Sequence, residues 1–164
     1  MSSFKFNTES TRPLPDATQM RIAIVTTEWN CEITDRLVES AVRTLRDNGV
    51  DASNITIEYV PGSFELIFGA AQLLSAKRHD AIIAIGCVIR GETPHFDYIC
   101  QGTTQGLASL NAQAEIPVVY GVLTVNNIEQ ALDRLGGKAG DKGAEFALTA
   151  IKMVAYSCQF KKKL

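Results

Sequence analysis

Nine consecutive residues, Ala81 to Ile89 (AIIAIGCVI), form the longest apolar run in the chain. A strand with one face in water alternates apolar and polar side chains, whereas a strand covered on both faces need not. The run therefore predicts a central strand of a parallel sheet with helices above and below it. It is far shorter than the roughly 20 residues that span a bilayer. Similar short runs alternate with longer segments of helical spacing. Arg21 to Thr27, Ile55 to Val60 and Pro117 to Leu123 read as further strands. Between the first two, Ile33, Leu37, Val38, Ala41, Val42 and Leu45 share one helical face, and Asn48-Gly49 supplies a stop. Pro61-Gly62-Ser63 turns into a helix reaching about Lys77, another helix runs from Pro94 to about Ala112, and a short one lies near Ile128 to Leu135. A last helix from Gly143 presents Ala144, Ala147, Leu148, Ile151, Val154 and Ala155 on one face.

Strands alternating with helices predict a three-layer α/β domain with a four-stranded parallel sheet flanked by helices on both faces. With 164 residues and no repeat or linker, one domain over 21–160 is expected, preceded by an N-terminal arm, 1–20, and followed by a basic tail, 161–164. Sixteen Lys and Arg against eighteen Asp and Glu give a net charge of −2, so no global basic field exists to hold nucleic acid or an anionic membrane. The first twenty residues carry Lys5, Glu9, Arg12 and Asp16 rather than the apolar core of a secretory signal, which predicts a soluble, cytoplasmic protein. The four cysteines form no C-x-x-C pair and read as reduced thiols; with only two histidines, a metal site has little to build on.

In such sheets ligands bind outside the carboxyl ends of the strands, which directs attention to Glu28-Trp29-Asn30, Pro61 to Glu65, Ile89 to His95 and Thr124 to Asn127. In Arg90-Gly91-Glu92-Thr93-Pro94-His95, Thr93 suits a helix N-cap and Pro94 a first helical position. The free N–H groups of such a helix start, with Gly91 permitting close approach, would suit a phosphate monoester, and ordinary capping explains the same residues equally well. His95 falls in the first turn, where the helix dipole favours a neutral imidazole suited to proton transfer; a hydrogen-bonded structural histidine is the other reading. Trp29 directly follows a strand at the ligand edge, where its ring would either stack on a heterocycle or pack beneath a loop. Glu65 fits a helix N-terminus as well as a site.

The stretch Gly136 to Gly143 lacks the Walker A spacing, and no strand is followed by G-x-G-x-x-G, which disfavours an ATPase and a nicotinamide-dependent dehydrogenase. Glu28 alone after the first strand lacks the acidic pair of a phospho-receiver.

Four segments in order, Val60-Pro61-Gly62-Ser63-Phe64-Glu65, Gly86 to Tyr98, Gly121-Val122-Leu123-Thr124 with Ile128-Glu129-Gln130-Ala131, and Lys138 to Gly143, resemble lumazine synthase, and the likeness runs from about Arg21 to Val154. The resemblance implies a flavodoxin-like fold and the penultimate step of riboflavin synthesis. In that step 5-amino-6-ribitylamino-uracil condenses with 3,4-dihydroxy-2-butanone 4-phosphate to 6,7-dimethyl-8-ribityllumazine, releasing water and phosphate, with no metal or redox cofactor. It implies that Trp29, where many relatives carry Phe, stacks on the pyrimidine. Ser63, Phe64 and Glu65 would hold the ribityl chain and ring edge, and Val88 and Ile89 would line the ring pocket. Gly91, Glu92 and Thr93 would cradle phosphate through their backbone, and His95 would move protons. Tyr120, Arg134 and Lys142 would complete the site from a neighbouring subunit of a homopentamer, Arg134 on the phosphate. Glu92 replaces a small residue of many relatives and is expected to point to solvent; Cys87 is read as a packing residue. The short Lys138 to Gly143 connection resembles relatives whose pentamers close into a sixty-subunit icosahedral shell, with riboflavin synthase as a cargo. A non-catalytic flavin or lumazine carrier and a purely structural shell are the competing readings.

Overall fold

Strand β3 (Ala81–Ile89) lies between β1 (Ile22–Thr27) and β4 (Val118–Val125), and β2 (Ile55–Val60) pairs with the far side of β1. Every pairing in this four-stranded sheet is parallel. The computed structural model describes residues 13–160; the start of the expected arm and the Lys161-Lys162-Lys163 tail lie outside the described residues. As the apolar run predicts, β3 is an inner strand, buried from Ala81 through Cys87.

The two faces of the sheet follow from the strand period of two. On one face Ile22, Ile24, Ile83 and Ile85 meet Ile33, Leu37, Ala41 and Leu45 of α1 (Cys31–Asp47) and Ala147 and Ile151 of α5 (Lys142–Cys158). On the other, Ala23, Val25, Ile82 and Ala84 meet Leu66 and Ala70 of α2 (Leu66–Ala76) and Leu107 of α3 (His95–Gln113). Each of these fully buried Ile and Leu side chains contributes roughly 1.5–3 kcal/mol of transfer free energy. Ala17 and Met20, ahead of β1, are buried in the first cluster. The architecture is the flavodoxin-like α/β arrangement.

Helices α1 and α5 approach closely because Gly143 has no side chain: a Cβ there would run into the Leu37 carbonyl oxygen. Asp141 caps α5 by accepting from the Ala144 N–H at 3.2 Å, and its other oxygen accepts from the Ser40 hydroxyl of α1 at 2.6 Å. One side chain thus ends a loop, starts a helix and ties two helices together.

Three local expectations are corrected. Thr93 does not cap α3: the helix starts at His95, the cap position falls on Pro94, and Pro has no side-chain acceptor. The Pro61 to Glu65 segment remains a turn, with the Glu65 N–H donating to the Gly62 carbonyl at 3.1 Å, and α2 begins only at Leu66. The helix expected to reach Leu135 stops at Leu132 as α4 (Ile128–Leu132). Beyond it β5 (Leu135–Gly137) pairs antiparallel with β6 (Gly140–Asp141), because Gly136 (φ 98) and Gly140 (φ 83) adopt left-handed conformations that no helix accommodates.

Candidate active site

At the carboxyl edge of the sheet the β1–α1 loop is laid across the β2–α2 turn. The Glu28 N–H donates to the Val60 carbonyl at 2.9 Å and the Trp29 N–H to the Pro61 carbonyl at 3.1 Å. The Trp29 ring packs against Gly62, where a Cβ would collide with it. With 66% of its surface exposed, Trp29 is held at the edge of the sheet and is no part of the core.

The following turn presents Ser63, Phe64 and Glu65. Ser63 is buried, its carbonyl accepts from the Thr103 hydroxyl at 3.2 Å, and its own Oγ lies so near Gly86 that a Cβ on that glycine would stand 2.9 Å away. The Phe64 ring packs against Gly102 of α3, 3.0 Å from where a Cβ would be. Glu65 is half-buried, its carboxylate beside Gly62 and the Trp29 ring. The glycines are therefore seats for the side chains expected in the site.

Strand β3 outruns β1, whose pairing ends at Thr26 opposite Ile85, so Val88 and Ile89 run on beside β4 alone, half-buried and paired with Thr124 and Val125. Trp29, Ser63, Phe64, Glu65, Val88, Ile89 and His95 come together around one cleft of about 460 Å³. That volume suits a small-molecule site. Asn30, from the first ligand-edge segment but given no role there, Cys87, read as a packing residue, and Ile99, missed in the sequence, complete its lining. Ile99 stands one helical turn after His95, a spacing that would have found it. Burial, with a smaller push from the Glu32 carboxylate, raises the Cys87 thiol to about 11, which fits a neutral packing side chain.

Between β3 and α3, Arg90 anchors the loop. Its N–H donates to the Val125 carbonyl at 2.9 Å, and its guanidinium reaches Asp97 at 2.7 Å and Asn126 at 3.2 Å while lying 4.2 Å from the Phe96 ring centre. The hydrogen bond between the two holds the Asp97 carboxyl below its usual range and raises the Arg90 guanidinium. Inside this brace the N–H groups of Gly91, Glu92 and Thr93 have no acceptor among the described residues. They lie just ahead of α3, where unpaired donors favour an anion. A Cβ on Gly91 would meet nothing within 4 Å, so the chain itself does not demand glycine there. Glu92 is exposed, and His95, first residue of α3, is exposed beside the cleft.

Tyr120, Arg134 and Lys142 do not line this cleft. Tyr120 shares a hydrogen bond of 2.9 Å with the Thr104 hydroxyl, and burial pushes its phenol up. The Arg134 guanidinium donates to the Gln130 carbonyl at 2.7 Å, and the Lys142 ammonium pairs with Glu145 at 2.7 Å. Within one chain these three lie outside the cleft that His95 lines.

Residues 19–157 match the profile of the 6,7-dimethyl-8-ribityllumazine synthase family. Proteins carrying that name resemble the chain along most of its length. The one from Phocaeicola vulgatus is 52% identical over all of this chain and 92% of its own length. Those from Parabacteroides distasonis and Bacteroides fragilis are 50% and 56% identical, over 96% and 84% of this chain and 95% and 96% of their own. The matched region holds the four-stranded sheet, its helices but for the last residue of α5, and every residue around the cleft, and on that basis the chain belongs to the 6,7-dimethyl-8-ribityllumazine synthase family.

Proposed function

We propose that the cleft bounded by Trp29, Ser63 to Glu65, Val88, Ile89 and His95 is where the chain carries out its family's reaction. The chain is a transferase of riboflavin biosynthesis that condenses 5-amino-6-(D-ribitylamino)uracil with 3,4-dihydroxy-2-butanone 4-phosphate to 6,7-dimethyl-8-ribityllumazine. The observation that carries the placement is the meeting, at one sheet edge, of an exposed aromatic ring, a polar turn, an apolar wall and a row of unpaired N–H groups ahead of α3.

In this reading the pyrimidine stacks on Trp29 above Val88 and Ile89, and Ser63, Phe64 and Glu65 hold the ribityl chain and the ring edge. The phosphate of the four-carbon partner sits on the N–H groups of Gly91, Glu92 and Thr93. The 5-amino group attacks the ketone carbonyl, water leaves to give an imine, and phosphate departs by elimination. The ribityl-bearing nitrogen then closes the second ring with loss of another water. No electron leaves or enters the pair of substrates. The largest protein contribution is holding amine and ketone together, where proximity is worth several kcal/mol. His95 adds a smaller term by moving protons between nitrogen, carbonyl oxygen and the departing phosphate.

The family implies an oligomer. We place Tyr120, Arg134 and Lys142 at the cleft of the adjoining subunit of a homopentamer, Arg134 on the phosphate. Their separation from His95 within one chain supports this, and so does the exposed apolar surface of Phe68 and Tyr98 on α2 and α3. Closure of pentamers into an icosahedral shell, with riboflavin synthase as cargo, belongs to the same reading, as does a cytoplasmic location. Among the described residues no helix is long and apolar enough to cross a membrane.

Mixing purified protein with both substrates and following lumazine fluorescence tests the reading. Product formation that Trp29→Ala and His95→Ala both impair supports it; binding of lumazine without turnover would make the chain a carrier.

A further inference from the structure

Residue 30 is one of only two non-glycine residues among the described residues with positive φ (φ 59, ψ 39), and it occupies the cap position of α1 without capping it. Its carboxamide donates instead to the Cys87 carbonyl, 57 residues away, at 2.9 Å. The reason lies in the β1–β3 ladder. The Ile82 N–H donates to Pro117 and the Arg90 N–H to Val125, so the even-numbered residues of β3 turn their backbone groups toward β4. Odd-numbered residues, Cys87 among them, face β1. With Thr26 opposite Ile85, the next ladder donor for the Cys87 carbonyl would be the Trp29 N–H. That N–H has turned away to Pro61. The Asn30 carboxamide stands in for the donor that β1 no longer supplies.

We propose that Asn30 is the positioning residue that sets the Trp29 ring over the cleft, by bridging the β1–α1 loop to the end of β3. The loop is then fixed at two points on opposite sides of Trp29. The Trp29 N–H is held by the β2–α2 turn, and the next residue is held by the strand that carries Val88 and Ile89. The ring and the apolar wall that would sandwich a heterocycle are thereby locked at one separation. Two requirements meet at this position. The left-handed backbone favours Gly, Asn or Asp, and the bridge needs a side-chain N–H. Asn alone among the three satisfies both.

The inference rests on the placement of the pyrimidine under Trp29, and the experiment separates the two. Trp29 is the only tryptophan, so its emission reports directly on the ring. Titration of the unaltered oligomer with 6,7-dimethyl-8-ribityllumazine should quench that emission; absence of quenching removes the site placement and this proposal together. Asn30→Gly keeps the backbone conformation and deletes the bridge, while Asn30→Asp keeps size and conformation without a donor. Both should weaken lumazine binding and raise KM for the pyrimidine about tenfold, as expected for one lost hydrogen bond that holds a contact. KM for the phosphate substrate, whose loop is braced separately by Arg90, should change less than about twofold. Wild-type quenching with unaltered affinity and KM in Asn30→Gly overturns the proposal, leaving the site placement intact. If neither variant folds, a crystal structure of the unaltered protein with lumazine bound decides. The carboxamide remaining on the Cys87 carbonyl supports the bridge, and a carboxamide swung away refutes it.

Discussion

The Trp29 ring rests on Gly62 so closely that a Cβ on that glycine would stand 2.6 Å from ring atom Cε3 and 2.7 Å from Cζ3. No real contact tolerates this, so Gly62→Ala must displace the ring. The expected outcome is a shifted Trp29 emission, a pyrimidine KM raised about tenfold, and a stability loss of about 1–3 kcal/mol from overpacking. Steady-state kinetics with emission spectra check it; an unmoved spectrum would show that the ring does not depend on its seat.

His95 lies exposed at the first residue of α3, outside the core, so His95→Ala should fold normally. Its turnover should drop about a hundredfold at saturating substrate, with the phosphate KM little changed, because positioning by the rest of the cleft persists. Unchanged kcat would remove His95 from the chemistry.

Arg134 and His95 belong to different sites of one chain if the cleft is shared between neighbours. His95→Ala and Arg134→Ala homo-oligomers should both be impaired. In oligomers coexpressed equally and mixed at random, about one site in four receives both intact residues, and activity should rise clearly above either parent. Mixed oligomers verified by mass that are no more active than the better parent would place both residues in one chain's site.

Glu92 carries an exposed carboxylate within the loop whose unpaired N–H groups would take the phosphate. Glu92→Gln should lower KM for the phosphate substrate about two- to threefold at low ionic strength, with the advantage fading as salt screens the charge. Measuring KM across a salt series checks this, and a flat series equal to wild type would show that the carboxylate stays clear of the phosphate.

Burial raises the Cys87 thiol from 9.0 to about 11. Below about pH 9 the thiol is protonated in folded and unfolded chains alike, so its contribution to stability is fully present. As pH climbs from about 9 to about 11 the unfolded chain ionises first, unfolding releases a proton, and stability falls. Urea unfolding at about pH 8 and about pH 10.5 should show a larger loss for the wild type than for Cys87→Ala. Equal losses would assign the alkaline weakening to other groups.

Native mass spectrometry of the purified protein bears on the larger assembly. A mass corresponding to sixty chains is the expected outcome, and only free pentamers or decamers would reject the shell.

Much of the fold was legible because its signals are local. The apolar run from Ala81 marks an inner strand whatever surrounds it, and the Ile33, Leu37, Ala41, Leu45 stripe dictates which side of α1 meets the sheet. The motif around His95 identified a helix start at the ligand edge, and the structure moved that start by only one residue, from Pro94 to His95. Distant contacts were not legible. Nothing in Gly62, Gly86 or Gly102 reveals that each seats a particular side chain of the cleft, because a glycine's neighbours are set by how the layers pack. The Leu135–Gly137 and Gly140–Asp141 hairpin is too short for periodicity to report. The bridge from Asn30 to Cys87 depends on where β1 stops relative to β3, a matter of register between segments far apart in the chain. Local patterning sufficed for the succession of the four sheet strands and the helices between them, the buried faces and the residue types brought to the ligand edge, since burial and capping act over a few residues. Which of those residues share a cleft, and which glycines seat them, emerges from the folded domain alone, because sheet order and helix packing set those distances across the whole chain.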